Sequence, residues 1–194
     1  MIKKISKGFT TTSLLSRGFT LIELLIVIAV IGVLAAVILV AIDPVEQLKR
    51  GRDAGRKSSV AQLGRALLAF YTNNSAYPAA AGWTGDPATN ALVLSGDIKV
   101  IPTQATPTTP LTECTPVAQR INNFCYKVTV LPALPNFVMY TRVESKSENI
   151  KGERLPGCAV GSIRMYLYSS VDGRSGIICA ITAEPVAGGT FTYF

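Results

Sequence analysis

Residues 17–42 read RGFTLIELLIVIAVIGVLAAVILVAI, and this stretch decides how the chain begins to fold. Its last 19 residues, Leu24 to Ile42, are uncharged and nearly all apolar. As a helix they span roughly 28 Å, close to the ~30 Å hydrocarbon core of a bilayer. Residues 1–18 hold four basic residues and no acidic one. The stretch therefore predicts one membrane-spanning helix behind a basic leader.

Two common targeting signals explain this stretch incompletely. A conventional signal peptide has an apolar segment of about 7–15 residues before a small-residue cleavage site. Here the apolar run is longer, and no clear site of that kind follows it. A plain signal anchor fits the length and the basic flank. It does not account for Glu23, a carboxylate at the entrance of the apolar run.

A third interpretation accounts for the whole string. Arg17, Gly18 and Phe19 are followed by three residues, then Glu23 and the apolar run. This order resembles the class III signal of type IV pilins and pseudopilins. The resemblance implies that an aspartic prepilin peptidase cuts between Gly18 and Phe19 and N-methylates Phe19. It also implies that Glu23 pairs with the Phe19 amine of a neighbouring filament subunit, although a Glu that merely reaches the lipid headgroups is the alternative.

The charge of the chain is concentrated in two short segments. The net charge is +7, but without residues 1–18 the counts are 15 basic and 12 acidic residues, or +3. This modest excess predicts no specific nucleic-acid binding. A second basic cluster occupies residues 49–57, interleaved with Asp53. We expect that cluster to form a solvated helix face.

Beyond residue 42 the pattern changes to that of an α+β domain. Asp43-Pro44 is typical of a helix restart, and apolar residues then recur at helical spacing up to about residue 72: Val45, Leu48, Val60, Leu63, Leu67 and Phe70. We expect this amphipathic helix to pack on an antiparallel sheet with strands at 123–130, 136–143, 165–170 and 176–182, after a loop-like stretch at 79–120. The resemblance to type IV pilins implies the same layout. The predicted organisation is leader 1–18, transmembrane and assembly helix 19–42, amphipathic half 43–73 and globular head 74–194.

The four cysteines all lie beyond the apolar run, at Cys114, Cys125, Cys158 and Cys179. An even count in an exported region favours two disulfides and an oxidising compartment. Three pairings are possible, and the shorter loops favour Cys114–Cys125 and Cys158–Cys179. Four reduced, buried cysteines are the alternative.

The residues indicate a structural protein rather than an enzyme. The chain has no His, no recognisable nucleophile–base pair and no phosphate-binding loop, so we expect no catalytic residue, cofactor or metal. Asp172 and Glu184 are too few carboxylates for a calcium site. The resemblance implies a filament subunit whose partners are other copies, the prepilin peptidase, an inner-membrane assembly platform and, before assembly, membrane lipid. The location implied is the cytoplasmic membrane, with the C-terminal domain outside, and then a periplasmic or extracellular filament. A secretion or competence pseudopilin and a non-polymerising, membrane-anchored binding module are the alternatives.

Overall fold

The computed structural model describes residues 18–103, 114, 120–129, 135–146, 148, 158, 162–180 and 184–194. The chain divides into two compact units, one ending at Asp43 and the other running from Pro44 to Phe194. The first unit contributes a single helix. The second contains the other helices and one sheet.

Helix α1 covers Leu21–Ile42, and none of its 22 residues is buried. It is long and apolar enough to cross a membrane, with a mean hydropathy of 3.4. The helix stops at Asp43, whose φ of 46° lies in the left-handed region. Asp tolerates that conformation better than most residues. The predicted apolar helix is thus present over its full length.

Helix α2 covers Pro44–Asn74 in the second unit. Pro44 occupies its first position, where the missing N–H costs nothing. Val60, Leu63 and Leu67 lie on one face of the helix and are fully buried. Gly64 lies on that face as well, and a Cβ there would be 2.7 Å from the Tyr168 ring. This glycine lets the helix approach the sheet closely.

The sheet has five antiparallel strands in sequential order. They are β1 (Arg120–Ile121), β2 (Phe124–Val128), β3 (Phe137–Arg142), β4 (Ile163–Ser169) and β5 (Arg174–Ala180). The four strands that the sequence predicts correspond to β2–β5. The two-residue β1 is an addition, and the stretch predicted as a loop also holds a 3₁₀ turn at Ala80–Gly82 and the short helix α3 at Ala91–Leu94. The predicted α+β fold is confirmed.

Both faces of the sheet are covered, as alternation along β3 shows. Phe137 and Met139 belong to one apolar cluster, which includes the buried face of α2. Val138 and Tyr140 belong to a second cluster, against which Phe191 and Tyr193 of the C-terminal tail pack. Successive strand residues point to opposite faces, so α2 covers one face and the tail the other.

The predicted apolar stripe of α2 is wrong at its start. Val45 and Leu48 are 58% and 65% exposed. The buried positions in this part of the helix belong to Glu46, Asp53 and Arg56 instead. Helical spacing predicts that apolar residues share one face of the helix. It cannot show that a charged face is buried against partners elsewhere in the chain.

The prediction that the 49–57 cluster is a solvated face is wrong at Arg56, for the same reason, although Arg50 is exposed. Arg56 is 1% exposed and pairs with Asp53 at 2.9 Å and with Glu144. Arg52 also pairs with Glu144, at 3.1 Å. Lys57 pairs with Glu148 at 2.9 Å. We call Arg52, Asp53, Arg56 and Glu144 the ionic cluster.

Candidate functional site at the start of helix α1

Helix α1 begins with reciprocal hydrogen bonds between Thr20 and Glu23. The Glu23 N–H donates to Thr20 Oγ1 at 3.2 Å, and the Thr20 N–H donates to Glu23 Oε2 at 3.0 Å. The Thr20 hydroxyl donates to the same oxygen at 2.8 Å. This capping box satisfies N–H groups that a helix start leaves unpaired. It also holds the carboxylate where the helix dipole favours negative charge.

Glu23 is the single charged residue between Gly18 and Ile42. It is exposed, and the bonds described at its carboxylate all come from Thr20. A carboxylate beside an apolar helix of membrane-spanning length is costly to bury without a partner. Glu23 is therefore the position of α1 where a polar contact from outside the chain would matter most.

Gly18 and Phe19 lie just before the helix, outside regular secondary structure. Phe19 is 81% exposed, and no atom lies within 4 Å of the place where a Cβ on Gly18 would be. Gly18 and Phe19, between which the predicted cleavage falls, are thus both exposed. The basic residues of the predicted leader, Lys3, Lys4, Lys7 and Arg17, lie outside the described residues.

The rest of α1 is an apolar surface on every side. Its large side chains are roughly half exposed or more, from 46% at Val27 to 87% at Val40. Contiguous apolar area of this size on a protein marks a membrane or protein contact. The surface of α1 is therefore suited to insertion into a membrane or to packing against other apolar helices.

Two disulfides tie the sheet to neighbouring segments. Cys114 is bonded to Cys125 of β2, and Cys158 to Cys179 of β5. The Cα atoms are 5.8 Å and 5.7 Å apart, ordinary separations for a disulfide. This is the pairing that the loop lengths favour.

The described residues offer no arrangement for a metal ion. No group of three or more His, Cys, Asp or Glu side chains converges among them. Asp172 accepts a hydrogen bond from the Tyr193 hydroxyl at 2.7 Å, whereas Glu184 pairs with Lys127 at 2.6 Å. The two carboxylates considered for calcium thus have separate partners.

The sequence analysis missed two features of the structure, the capping box at Thr20 and the ionic cluster. Thr followed three residues later by Glu is the signature of a capping box, so Thr20 could have been assigned from the sequence. The ionic cluster could not, because Asp53 and Glu144 are 91 residues apart. No local pattern links them.

The comparisons with known proteins bear on the same segment. Residues 15–39 match the family model described as the prokaryotic N-terminal methylation motif. This motif is the class III signal of type IV pilins and pseudopilins, so the resemblance seen in the sequence is confirmed. It supports a pilin or pseudopilin, a structural kind of protein, and membrane anchoring through α1. No curated protein and no solved structure was found to match the chain.

Proposed function

We propose that the chain is a prepilin, cut after Gly18, N-methylated at Phe19 and assembled through α1 into a type IV pilus-like filament. One observation carries the proposal: the methylation motif at residues 15–39 overlaps a helix that is exposed along its whole length and apolar except at Glu23. Cleavage before such a helix leaves it on the mature protein, available first to lipid and then to other copies. The partners are thus the prepilin peptidase, an assembly platform, membrane lipid and further subunits.

Glu23 supplies the polar contact of assembly in this proposal. Cleavage after Gly18 makes Phe19 the first residue, and the Thr20 amide and hydroxyl that hold Glu23 remain. Because both contacts use Oε2, we expect Oε1 to meet the Phe19 amine of a neighbouring subunit. A charge inside an apolar helix bundle is costly when unpaired, so this pairing would fix the axial register of subunits.

The proposed topology follows from the same steps. The leader, residues 1–18, stays in the cytoplasm, α1 spans the membrane, and the amphipathic half and head, 43–73 and 74–194, lie outside. Two disulfides fit an oxidising compartment. The ion pairs of Arg50, Arg52, Arg56 and Lys57 also neutralise much of the basic cluster beyond α1 once the domain has folded. The proposed orientation rests on the methylation motif, whose cleavage site must face the peptidase in the cytoplasm, because the positive-inside rule counts basic residues rather than net charge.

Substitution of Glu23 tests the assembly step. We expect Glu23→Val to be cut and methylated normally but to enter filaments at least about tenfold less, because the polar contact is lost. The readout is the ratio of protein in sheared fibres to protein in the membrane. Asp86→Asn, which changes an exposed head carboxylate, is the matched control and should assemble normally. Normal filament yield from Glu23→Val would refute the role of Glu23.

The methylation motif is common to pilins and pseudopilins, so it supports a secretion or competence pseudopilin as the second candidate. Sheared surface fibres that contain the chain would favour the pilus. A short assembly confined to the periplasm, together with a secretion defect on deletion, would favour the pseudopilin. An unprocessed chain that remains in the membrane would favour a non-polymerising, membrane-anchored module.

A further inference from the structure

The two halves of helix α2 are attached to the sheet domain by different chemistry. In the half from residue 58 onward, the buried residues are Val60, Leu63, Gly64, Ala66 and Leu67. In residues 44–57, which we call the arm, the buried residues are Glu46, Asp53 and Arg56. The arm's large apolar side chains, Val45 and Leu48, point to solvent. Charges, rather than apolar burial, therefore hold the arm.

The ionic cluster joins the arm to the segment that follows β3. The Asp53 carboxylate accepts the backbone N–H of Glu144 at 3.0 Å and that of Ser145 at 2.7 Å. Arg56 bridges the two acids, donating to Asp53 at 2.9 Å and to Glu144. Arg52 donates to Glu144 at 3.1 Å and 3.3 Å. Two positive and two negative charges are matched, and the side chains of Asp53, Arg56 and Glu144 are at most 4% exposed.

A matched buried cluster behaves as one unit. Asp53, Arg56 and Glu144 lost their water on docking, whereas Arg52 stays partly exposed, so a missing partner leaves an uncompensated buried charge at high cost. If the whole arm leaves, every member of the cluster recovers water together. Detaching the whole arm therefore costs less free energy than separating an apolar interface of similar area. Partly detached states, in which some buried charges have lost their partners, are disfavoured.

Glycines in the arm point in the same direction. Apart from the neighbouring backbone of the helix itself, no atom lies within 4 Å of a Cβ built on Gly51 or Gly55, so packing does not require glycine at either place. Gly64, in the other half, is required by the Tyr168 ring. Glycine without a packing role weakens a helix relative to alanine. The arm is thus the weaker part of α2 in both helix propensity and attachment.

We propose that the arm is a releasable segment, which the ionic cluster docks and which detaches and unwinds as a unit while residues 60–72 stay packed on the sheet. The arm lies between the left-handed Asp43 at the end of α1 and the apolar core that begins at Val60. For the proposed filament subunit, it provides a joint between membrane helix and head. A role for this joint in filament assembly rests on the proposed function. Detachment of the arm from the sheet domain does not depend on it.

Amide hydrogen exchange of the unassembled, full-length protein in detergent tests the release. We expect peptides from 45–57 to exchange faster than peptides from 60–72. Glu144→Gln removes one charge from the cluster, and arm exchange should then accelerate at least about tenfold. Exchange in 60–72 should change by less than about twofold, because that half stays packed. Equal acceleration in both halves, or none in the arm, would overturn the proposal.

A second variant keeps the test decisive if Glu144→Gln does not fold. Gly51→Ala combined with Gly55→Ala adds helix propensity without a clash. Arm exchange should slow by about fivefold per substitution, while exchange in 60–72 stays constant. Unchanged exchange in the arm would contradict release through helix opening. These results do not depend on Phe19 methylation or filament yield, so the proposed function and the releasable arm can fail independently.

Discussion

The two long helices of this protein use opposite chemistry. Helix α1 is apolar on every side and buries none of its residues. Helix α2 is polar on average, yet it buries both an apolar stripe and three charged residues within its own unit. Composition alone therefore does not identify what a helix packs against. Among the described residues, α2 packs within its own unit, whereas α1 leaves its apolar side chains exposed.

The largest expected effect comes from removal of an apolar contact of α2. Leu67→Ala should lower the free energy of unfolding by about 2–5 kcal/mol, because Leu67 is fully buried between helix and sheet. Leu34→Ala in α1 is the matched control, since Leu34 is 57% exposed. It should change unfolding by less than about 0.5 kcal/mol. Denaturant titration in detergent measures both, and a loss from Leu34→Ala equal to that from Leu67→Ala would show that α1 is also stabilised by burial within the chain.

A second test uses one glycine from each helix. Gly64→Ala should cost about 1–3 kcal/mol, because the new Cβ would meet the Tyr168 ring at 2.7 Å. Gly32→Ala in α1 meets no atom within 4 Å and should leave the unfolding midpoint of the sheet domain unchanged. If Gly64→Ala unfolds at the wild-type midpoint, the close approach of α2 to the sheet is wrong.

Alkaline pH should lower the free energy of unfolding of the sheet domain, because a buried tyrosine contacts the segment that follows α2. Burial raises the pKa of the Tyr126 hydroxyl, which donates to the Pro78 carbonyl at 2.8 Å. Both states keep the proton below pH ~10; above it the unfolded state ionises first, so stability falls as the pH rises, by up to about 1.4 kcal/mol per pH unit. Tyr126→Phe should show a shallower fall in unfolding free energy above that pH. An identical slope would contradict the role of Tyr126.

The smallest effect is expected in the arm. Leu48→Gln should change the free energy of unfolding by less than about 0.5 kcal/mol, because Leu48 is 65% exposed. Thermal unfolding of the detergent-solubilised variant measures this, with Leu63→Gln as the buried counterpart. A destabilisation by Leu48→Gln above about 1 kcal/mol would show that the arm is held by apolar burial after all.

The sequence sufficed wherever one local pattern determined the structure. An uninterrupted apolar run predicts α1, and helical spacing predicts the buried stripe at Val60, Leu63 and Leu67. Prediction from the sequence failed where a residue's partner lies far away in the chain. Arg56 is indistinguishable from a surface residue until Glu144, 88 residues later, is placed beside it. The strand β1 has only two residues and is defined by its pairing with β2 rather than by its own pattern.

The candidate site shows the same division. The order of Gly18, Phe19 and Glu23 before the apolar run was sufficient to predict a methylation motif, which the family model confirms. The sequence also predicts where these three residues lie, because they are close together in the chain at the start of one helix. The bonds of Thr20 to Glu23 required only the capping-box pattern. What the residues cannot specify is the set of copies that would surround α1, since those contacts belong to an assembly.

We propose that α1 becomes the N-terminus of a processed subunit and leaves the membrane when that subunit enters the filament. Mass spectrometry of intact protein and N-terminal peptides, on chains recovered from sheared surface fibres, tests this most directly. The account predicts a chain that begins at N-methyl-Phe19 and carries two disulfides. A chain that still begins at Met1 and is found only in the membrane would contradict processing and assembly together.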